Sequence, residues 1–346
     1  MPMCEVASWG STSTPAQWIQ KGREYFANKM YDLAAQCFEQ AGSKANTSYR
    51  IAKAYDNMSR AKSARNERDT EGNRRELRKV AAELGDCATA ARGESARYLW
   101  FHRAECLELV HATSESAEAF ANAEQYERAI RILLDSKFFK QGAKFLLKYG
   151  HNLEAWIRTE FLDRCRRQFF EDRNYSELPP LFDSNPDHEL IFARKHSFRE
   201  QLKHRLEHYE RFDELAQICL EDKSLNEGLD WLLKAFDHHA RANSLDEAAR
   251  VVDHHSAWIL SLEGQRYRPA VEKLEAMIGR ILRYGPKLDP KYTKALETFQ
   301  SIANRSVTPD AAGDWDQEDF EERPMKVLVL HNVLRDMSRL LNRNTL

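Results

Sequence analysis

Glycine and proline are both scarce, 13 and 10 in a chain of 346 residues. All-β and disordered chains use more of them, so the deficit points to long helices. It also bears on chemistry, because cradling a phosphate takes glycine-bearing turns, and neither GxxxxGK[ST] nor GxGxxG occurs. GxSxG and HExxH are missing as well. No apolar run approaches the length of a membrane span. The opening MPMCEVASWGSTST lacks the charged-then-apolar order of a signal sequence. The six cysteines (Cys4, Cys37, Cys87, Cys106, Cys165, Cys219) form no CxxC and no tight pair. They are expected to be small buried hydrophobes in a reducing compartment, not a disulfide or zinc framework. With a formal net charge of −2, nothing global calls for a polyanion or a membrane surface. The expectation is a soluble, intracellular, non-catalytic protein with no cofactor, its compartment and oligomeric state open.

What is present is organised. Residues 15–48 read PAQWIQKGREYFANKMYDLAAQCFEQAGSKANTS, placing Trp18, Gly22, Tyr25, Ala34, Phe38 and Ala41 at the offsets of a tetratricopeptide repeat. Gly22 and Ala34 fall where two antiparallel helices cross closely, and Trp18, Tyr25 and Phe38 fill the volume beside the crossing. The usual closing proline is replaced by Asn46.

The second helix of that repeat has a face that recurs. Tyr31, Ala34, Cys37 and Phe38 return as Tyr126, Ala129, Ile132, Leu133 and as Phe139, Gly142, Phe145, Leu146. They return again as Phe212, Leu215, Ile218, Cys219, as Leu225, Gly228, Trp231, Leu232, and as Leu245, Ala248, Val251, Val252. The i, i+3, i+6, i+7 spacing is one helix face. Starts at 126 and 139, and at 212 and 225, leave room for short helices and tight turns. The fold expected is all-α, a right-handed α-solenoid of tetratricopeptide-like hairpins.

The chain divides by composition into a disordered N-terminus (1–14), helical repeats (15–175) and degenerate hairpin repeats (188–303). An acidic loop (304–324) and a C-terminal helix (325–346) follow. Leu178-Pro179-Pro180 and Asn185-Pro186 place the module boundary at 176–187. Residues 48–84 form one long or twice-broken helix.

For a binding surface, the first helix of the first repeat offers Ile19, Arg23 and Phe26 to the groove. Repeats that clamp a terminal carboxylate carry Lys and Asn at such positions, so an apolar or mixed helical ligand suits this lining better. A basic stretch, Arg60–Lys79, sets eight basic residues, among them Arg74, Arg75 and Arg78, against four acids. It holds no aromatic for base stacking, so a solvated face is favoured over a nucleic-acid footprint. His204 and His208 share a helix face, but Lys203, Arg205, Glu207 and Glu210 around them describe a solvated helix rather than a metal site. Seven acids between 310 and 322, with Trp315 and Phe320, resemble a docking peptide whose aromatics anchor and acids steer, but a solvated linker whose aromatics tuck back is favoured over it.

The run TSTPAQWIQKGREYFANKMYDLAAQCFEQAG and the hairpin AFANAEQYERAIRILLDSKFFKQGAKFLLKYG carry a resemblance over residues 12–150. The chain resembles the helical-repeat region that follows the UvrD-like superfamily 1 helicase core in tetratricopeptide and ankyrin repeat-containing proteins. That core and its phosphate-binding loop are not in this sequence, so no helicase activity transfers to any residue. The resulting expectation is a protein-interaction scaffold with a protein or peptide partner. The alternative is an accessory region of such a helicase, and direct nucleic-acid binding is a weaker third.

Overall fold

The computed structural model describes residues 13–261, 270–284 and 330–339. Among these residues the chain is helical and without strands. It forms an all-α, solenoid-type array in which helices pack chiefly on their sequence neighbours. It divides into two compact units, 1–185 and 186–346.

The first unit opens with α1 (Pro15–Ala27), where a capping box fixes the start. The Thr14 backbone N–H donates to Gln17 Oε1 at 2.8 Å, and the Gln17 N–H donates to Thr14 Oγ1 at 3.4 Å. A turn leads to α2 (Tyr31–Gln40), and the pair crosses at Gly22. A Cβ on Gly22 would lie 2.6 Å from the Phe38 ring, so only glycine allows this approach. Trp18, Ala34, Cys37, Phe38 and Ala41 are buried together there.

Next come α3 (Asn46–Glu67) and α4 (Glu71–Ala90). The expected long helix breaks once, at Arg68–Thr70, because Thr70 caps α4 by accepting from the Asn73 N–H at 3.2 Å. The Asn73 amide closes the break from the other side, donating to the carbonyls of Ala64 (2.9 Å) and Arg68 (2.7 Å). The unit continues through α5 (Gly93–Leu109), α6 (Thr113–Asn122), α7 (Tyr126–Asp135), α8 (Phe139–Tyr149) and α9 (Ala155–Glu171).

The second unit contains α10 (Pro186–Lys195), α11 (Arg199–His208), α12 (Phe212–Glu221), α13 (Leu225–Arg241), α14 (Leu245–Leu260), α15 (Ala270–Tyr284) and α16 over 330–339. The described part of the C-terminal helix is covered by its own unit. Leu330, Val333, Leu334 and Met337 join the core of α12–α15, and Ser338 Oγ donates to the Ala249 carbonyl at 3.2 Å. The acidic loop, residues 285–303 of the expected hairpin repeats and residues 1–12 of the expected disordered N-terminus lie outside the described residues.

One junction recurs through both units. At Lys29, His111, Glu124, Lys137, Arg173, Ser197, Glu210, Lys223 and Asn243 a helix ends on a residue with φ between 55° and 64°. Each is a Schellman cap. At Lys137, for instance, the Lys137 N–H donates to the Leu134 carbonyl (3.1 Å) and the Phe138 N–H to that of Leu133 (2.8 Å). The next residue then serves as N-cap of the following helix, as the Gly142 N–H donating to the Phe138 carbonyl shows. Three residues therefore complete one helix and start another. Helix starts at 113, 126 and 139, and at 186, 199, 212 and 225, follow from ten-residue helices joined this way. Glycine, the usual residue for this conformation, occupies none of the nine positions.

Candidate functional site

The feature of the first unit best fitted to hold a ligand is an aromatic groove. Phe26 at the end of α1, Tyr31 at the start of α2 and Tyr55 on α3 meet ring against ring. Their centroids are 5.2 Å apart for Phe26–Tyr31, 5.2 Å for Phe26–Tyr55 and 5.1 Å for Tyr31–Tyr55. The Schellman junction at Lys29 brings Phe26 and Tyr31 together, because it turns the chain within three residues. The His102 ring of α5 stands edge-on to Tyr55 at 5.2 Å.

Above this floor is a cavity of about 380 Å³, also lined by Ser48, Ser95 and Tyr98. A second cavity of about 430 Å³ adjoins it, shares Tyr98 and His102, and extends to Phe101 and the α6–α7 turn at Ala123–Gln125. Tyr98 lies on the wall common to both and is 57% exposed, so a large aromatic side chain is presented to solvent.

Most charges around the groove are already matched. Glu105 accepts from Lys62 Nζ at 2.9 Å and lies 3.1 Å from His102 Nδ1. These contacts, His102 first and Lys62 next, hold the Glu105 carboxyl down at about 2. Arg97 pairs with Glu124 at 2.8 Å. Burial raises the Tyr31 phenol above its usual range and raises that of Tyr55 further, with Tyr31 and Glu105 adding to the latter. Both phenols therefore remain neutral donors. The site offers ring faces and hydroxyls, and among the described residues its one unpaired charge is the exposed Glu94 carboxylate on the wall of the second cavity.

Of the three groove residues expected from the sequence, Phe26 lines this cavity, while Ile19 is half-buried and Arg23 exposed on α1 without lining it. The basic stretch is interleaved with its own acids. Arg74 binds Asp69 through Nε (2.8 Å) and Nη2 (2.7 Å), Arg75 lies 3.4 Å from Glu71, and Arg78 is exposed on the same helix. His204 and His208 are exposed on α11, and among the described residues no cluster of three or more His, Cys, Asp or Glu could hold a metal.

One sequence expectation is overturned. Arg205 is not on a solvated face but 4% exposed, its guanidinium on the Glu189 carboxylate, which is 1% exposed. Tyr209 completes the network, donating to Glu189 Oε2 at 2.8 Å and accepting from Arg205 Nη2 at 2.6 Å. Leu202 and Leu206 sit on the same face, and Arg205 can follow them inward because α10 supplies a carboxylate to meet it.

Cys37, Cys87, Cys106, Cys165 and Cys219 are buried free thiols. Burial pushes Cys106 and Cys219 up to about 11 and Cys165 to about 12, which leaves them unreactive. His255 on α14 is fully buried, and neither ring nitrogen has a hydrogen-bond partner among the described residues. Burial, with Lys273 and Arg280 of α15 adding to it, holds its pKa down at about 3.

A larger cavity of about 630 Å³ lies in the second unit between α10, α11, α12 and α14. Its walls are occupied by ion pairs, Arg194 with Glu214 and Arg199 with Asp222 at 2.5 Å. A ligand there would have to displace them, which makes it the poorer candidate.

No protein-family model and no curated protein matches the chain. Among solved structures it is similar to a circular tandem repeat protein with novel repeat topology and enhanced subunit contact surfaces. The identity is 15% over 95% of this chain and 77% of that one. The TM-score is 0.16, and the likeness carries no argument.

Proposed function

We propose that this chain is a non-catalytic interaction scaffold that binds a protein or peptide partner in the groove around Tyr98 and His102. The observation that carries this reading is the exposure of Tyr98 over a preorganised floor of rings. Tyrosine supplies large contact area at little entropic cost and is enriched among the residues that dominate interfaces. The floor needs no rearrangement to receive a ligand, which lowers the cost of binding. The non-catalytic part is supported by the missing phosphate and nucleophile motifs and by thiols held in their protonated form.

The test is to pan a peptide library on the intact protein, then measure the selected peptides against Tyr98→Ala and Arg75→Glu. A loss of about tenfold or more at Tyr98, with Arg75→Glu unchanged, is the expected result. Selected peptides that bind both variants like the parent would refute the groove. Capture that depends on nucleic acid and is abolished by reversing Arg74, Arg75 and Arg78 would move the function to the basic face.

The tetratricopeptide identity of residues 15–48 and an accessory role beside an UvrD-like helicase are finer readings that rest on the resemblance over residues 12–150. A GxxxxGK[ST] motif in the reading frame upstream of Met1 would support the second, and its absence from any upstream extension would remove it.

A further inference from the structure

The lining of the groove says what kind of chain fits it, granted the reading above that the groove is the binding site. Ser48, Ser95, Tyr31, Tyr55 and Tyr98 bring hydroxyl-bearing side chains to a wall otherwise made of rings and the aliphatic Ile51 and Leu99. Hydroxyls at an interface need partners, and leaving them dry costs affinity. A helical ligand offers few, because all but its last four carbonyls are bonded internally. A polyproline II segment has no internal hydrogen bonds and leaves every carbonyl free.

Charge points the same way. Glu105 is held by Lys62 and His102, and Arg97 by Glu124 at 2.8 Å. An acidic or phosphorylated peptide would find no unmatched cation among the lining residues, a basic one would find only Glu94 at the second cavity, and a neutral one has nothing to displace.

The shape adds a third constraint. Two cavities in series share Tyr98 and His102 as their common wall. They call for a ligand that presents apolar groups repeatedly on one face. Polyproline II does so every third residue, about 9 Å apart at about 3.1 Å per residue. Its rings are flat enough to lie against aromatic faces, and its conformation is set before binding, so little entropy is lost.

We infer that the groove around Tyr98 and His102 takes an uncharged, proline-rich segment in the polyproline II conformation. The ligand's proline rings lie against Tyr98 and the Phe26–Tyr31–Tyr55 floor, and the hydroxyls donate to its carbonyls.

The test is fluorescence anisotropy with the intact chain and two labelled probes of equal length, decaproline and a neutral amphipathic helical peptide. Decaproline is expected to bind saturably and with little change between about 0.05 and 0.5 M salt, since no ion pair is made. Tyr98→Ala is expected to weaken it about tenfold or more. Tyr98→Phe and Ser95→Ala are each expected to cost severalfold, which only a hydroxyl-to-carbonyl contact would produce. Tyr98 is exposed, so these variants should keep the parent's circular dichroism and melting. If the helical peptide binds in a Tyr98-dependent way and decaproline does not, the groove stands and the polyproline assignment falls. If neither probe nor any library peptide depends on Tyr98, both fall. Binding that collapses with salt overturns the neutral-ligand argument.

Discussion

The nine left-handed helix ends make a prediction that runs against the usual expectation that glycine weakens helical proteins. Lys137 and Lys223 are exposed, with φ of 64° and 61°, and their backbones are held there by the two Schellman hydrogen bonds. A non-glycine residue pays about 1–2 kcal/mol for this conformation, while glycine loses about 0.5–1 kcal/mol more chain entropy on folding. Lys137→Gly and Lys223→Gly should therefore each stabilise their own unit, by about 0.5–1 kcal/mol. The two sites lie in separate units, so the effects should add in the double variant. Urea denaturation followed by circular dichroism would show a raised midpoint with an unchanged slope. Alanine at the same positions is the control, since it keeps the steric cost and should shift stability by no more than about 0.5 kcal/mol. Glycine variants no more stable than the alanine ones would mean these junctions do not hold a strained conformation, and the account of them would fail.

Gly228 should respond in the opposite sense. An added Cβ would sit 2.5 Å from Leu220 Cγ and 3.2 Å from its backbone nitrogen, so Gly228→Ala should destabilise the second unit by about 1–3 kcal/mol in chemical denaturation, despite alanine's better helix propensity. Arg205→Ala strands the Glu189 carboxylate in the interior and should cost about 3–5 kcal/mol by the same assay. Tyr209→Phe, which removes one donor to that carboxylate, should cost about 1–3 kcal/mol. His255 has a folded pKa of about 3, below its unfolded value of about 6.5. Its contribution is complete above pH 6.5 and is lost as pH falls, by about 1.4 kcal/mol per pH unit down to pH 3. His255→Leu should flatten that part of the stability–pH curve. Glu105, with a folded pKa of about 2, contributes fully above its unfolded value near 4.5 and loses its contribution from there down to pH 2. Glu105→Gln should remove that acid-side slope from the unfolding of the first unit.

Much of the helical architecture was legible because it depends on local spacing. The offsets from Trp18 to Ala41 identify a close crossing, and Gly22 does lie against Phe38. The starts at 126, 139, 212 and 225 are helix starts. The glycine-free turns were harder to read, since the left-handed residue that closes each helix is a lysine, glutamate, serine or other polar residue with no distinguishing mark. The split at Thr70 was present as a capping residue three before Asn73, but nothing in a charged, proline-free run singles it out. Arg205 shows the limit of reading a charge as solvated, because its burial depends on a glutamate 16 residues away on another helix. The groove shows the same limit. Phe26 could be placed on α1, yet Tyr55 and His102 become neighbours only because α3 and α5 pack, a pairing written in no local period.

The repeated junction has a consequence for how this chain can change length. Each junction passes one helix to the next through the same few dihedral angles, so the direction in which a helix leaves depends on where around its axis the preceding one stops. A residue inserted into a ten-residue helix such as α7 or α12 turns everything after it by about 100°, one residue's share of a 3.6-residue turn. The packing face would then miss its neighbour. Length variation among relatives should therefore collect at 42–45, 150–154 and 175–185, where short turns of 3₁₀ helix separate the α-helices. The tightly joined runs 113–149 and 186–260 should keep their residue count fixed even where their residues differ.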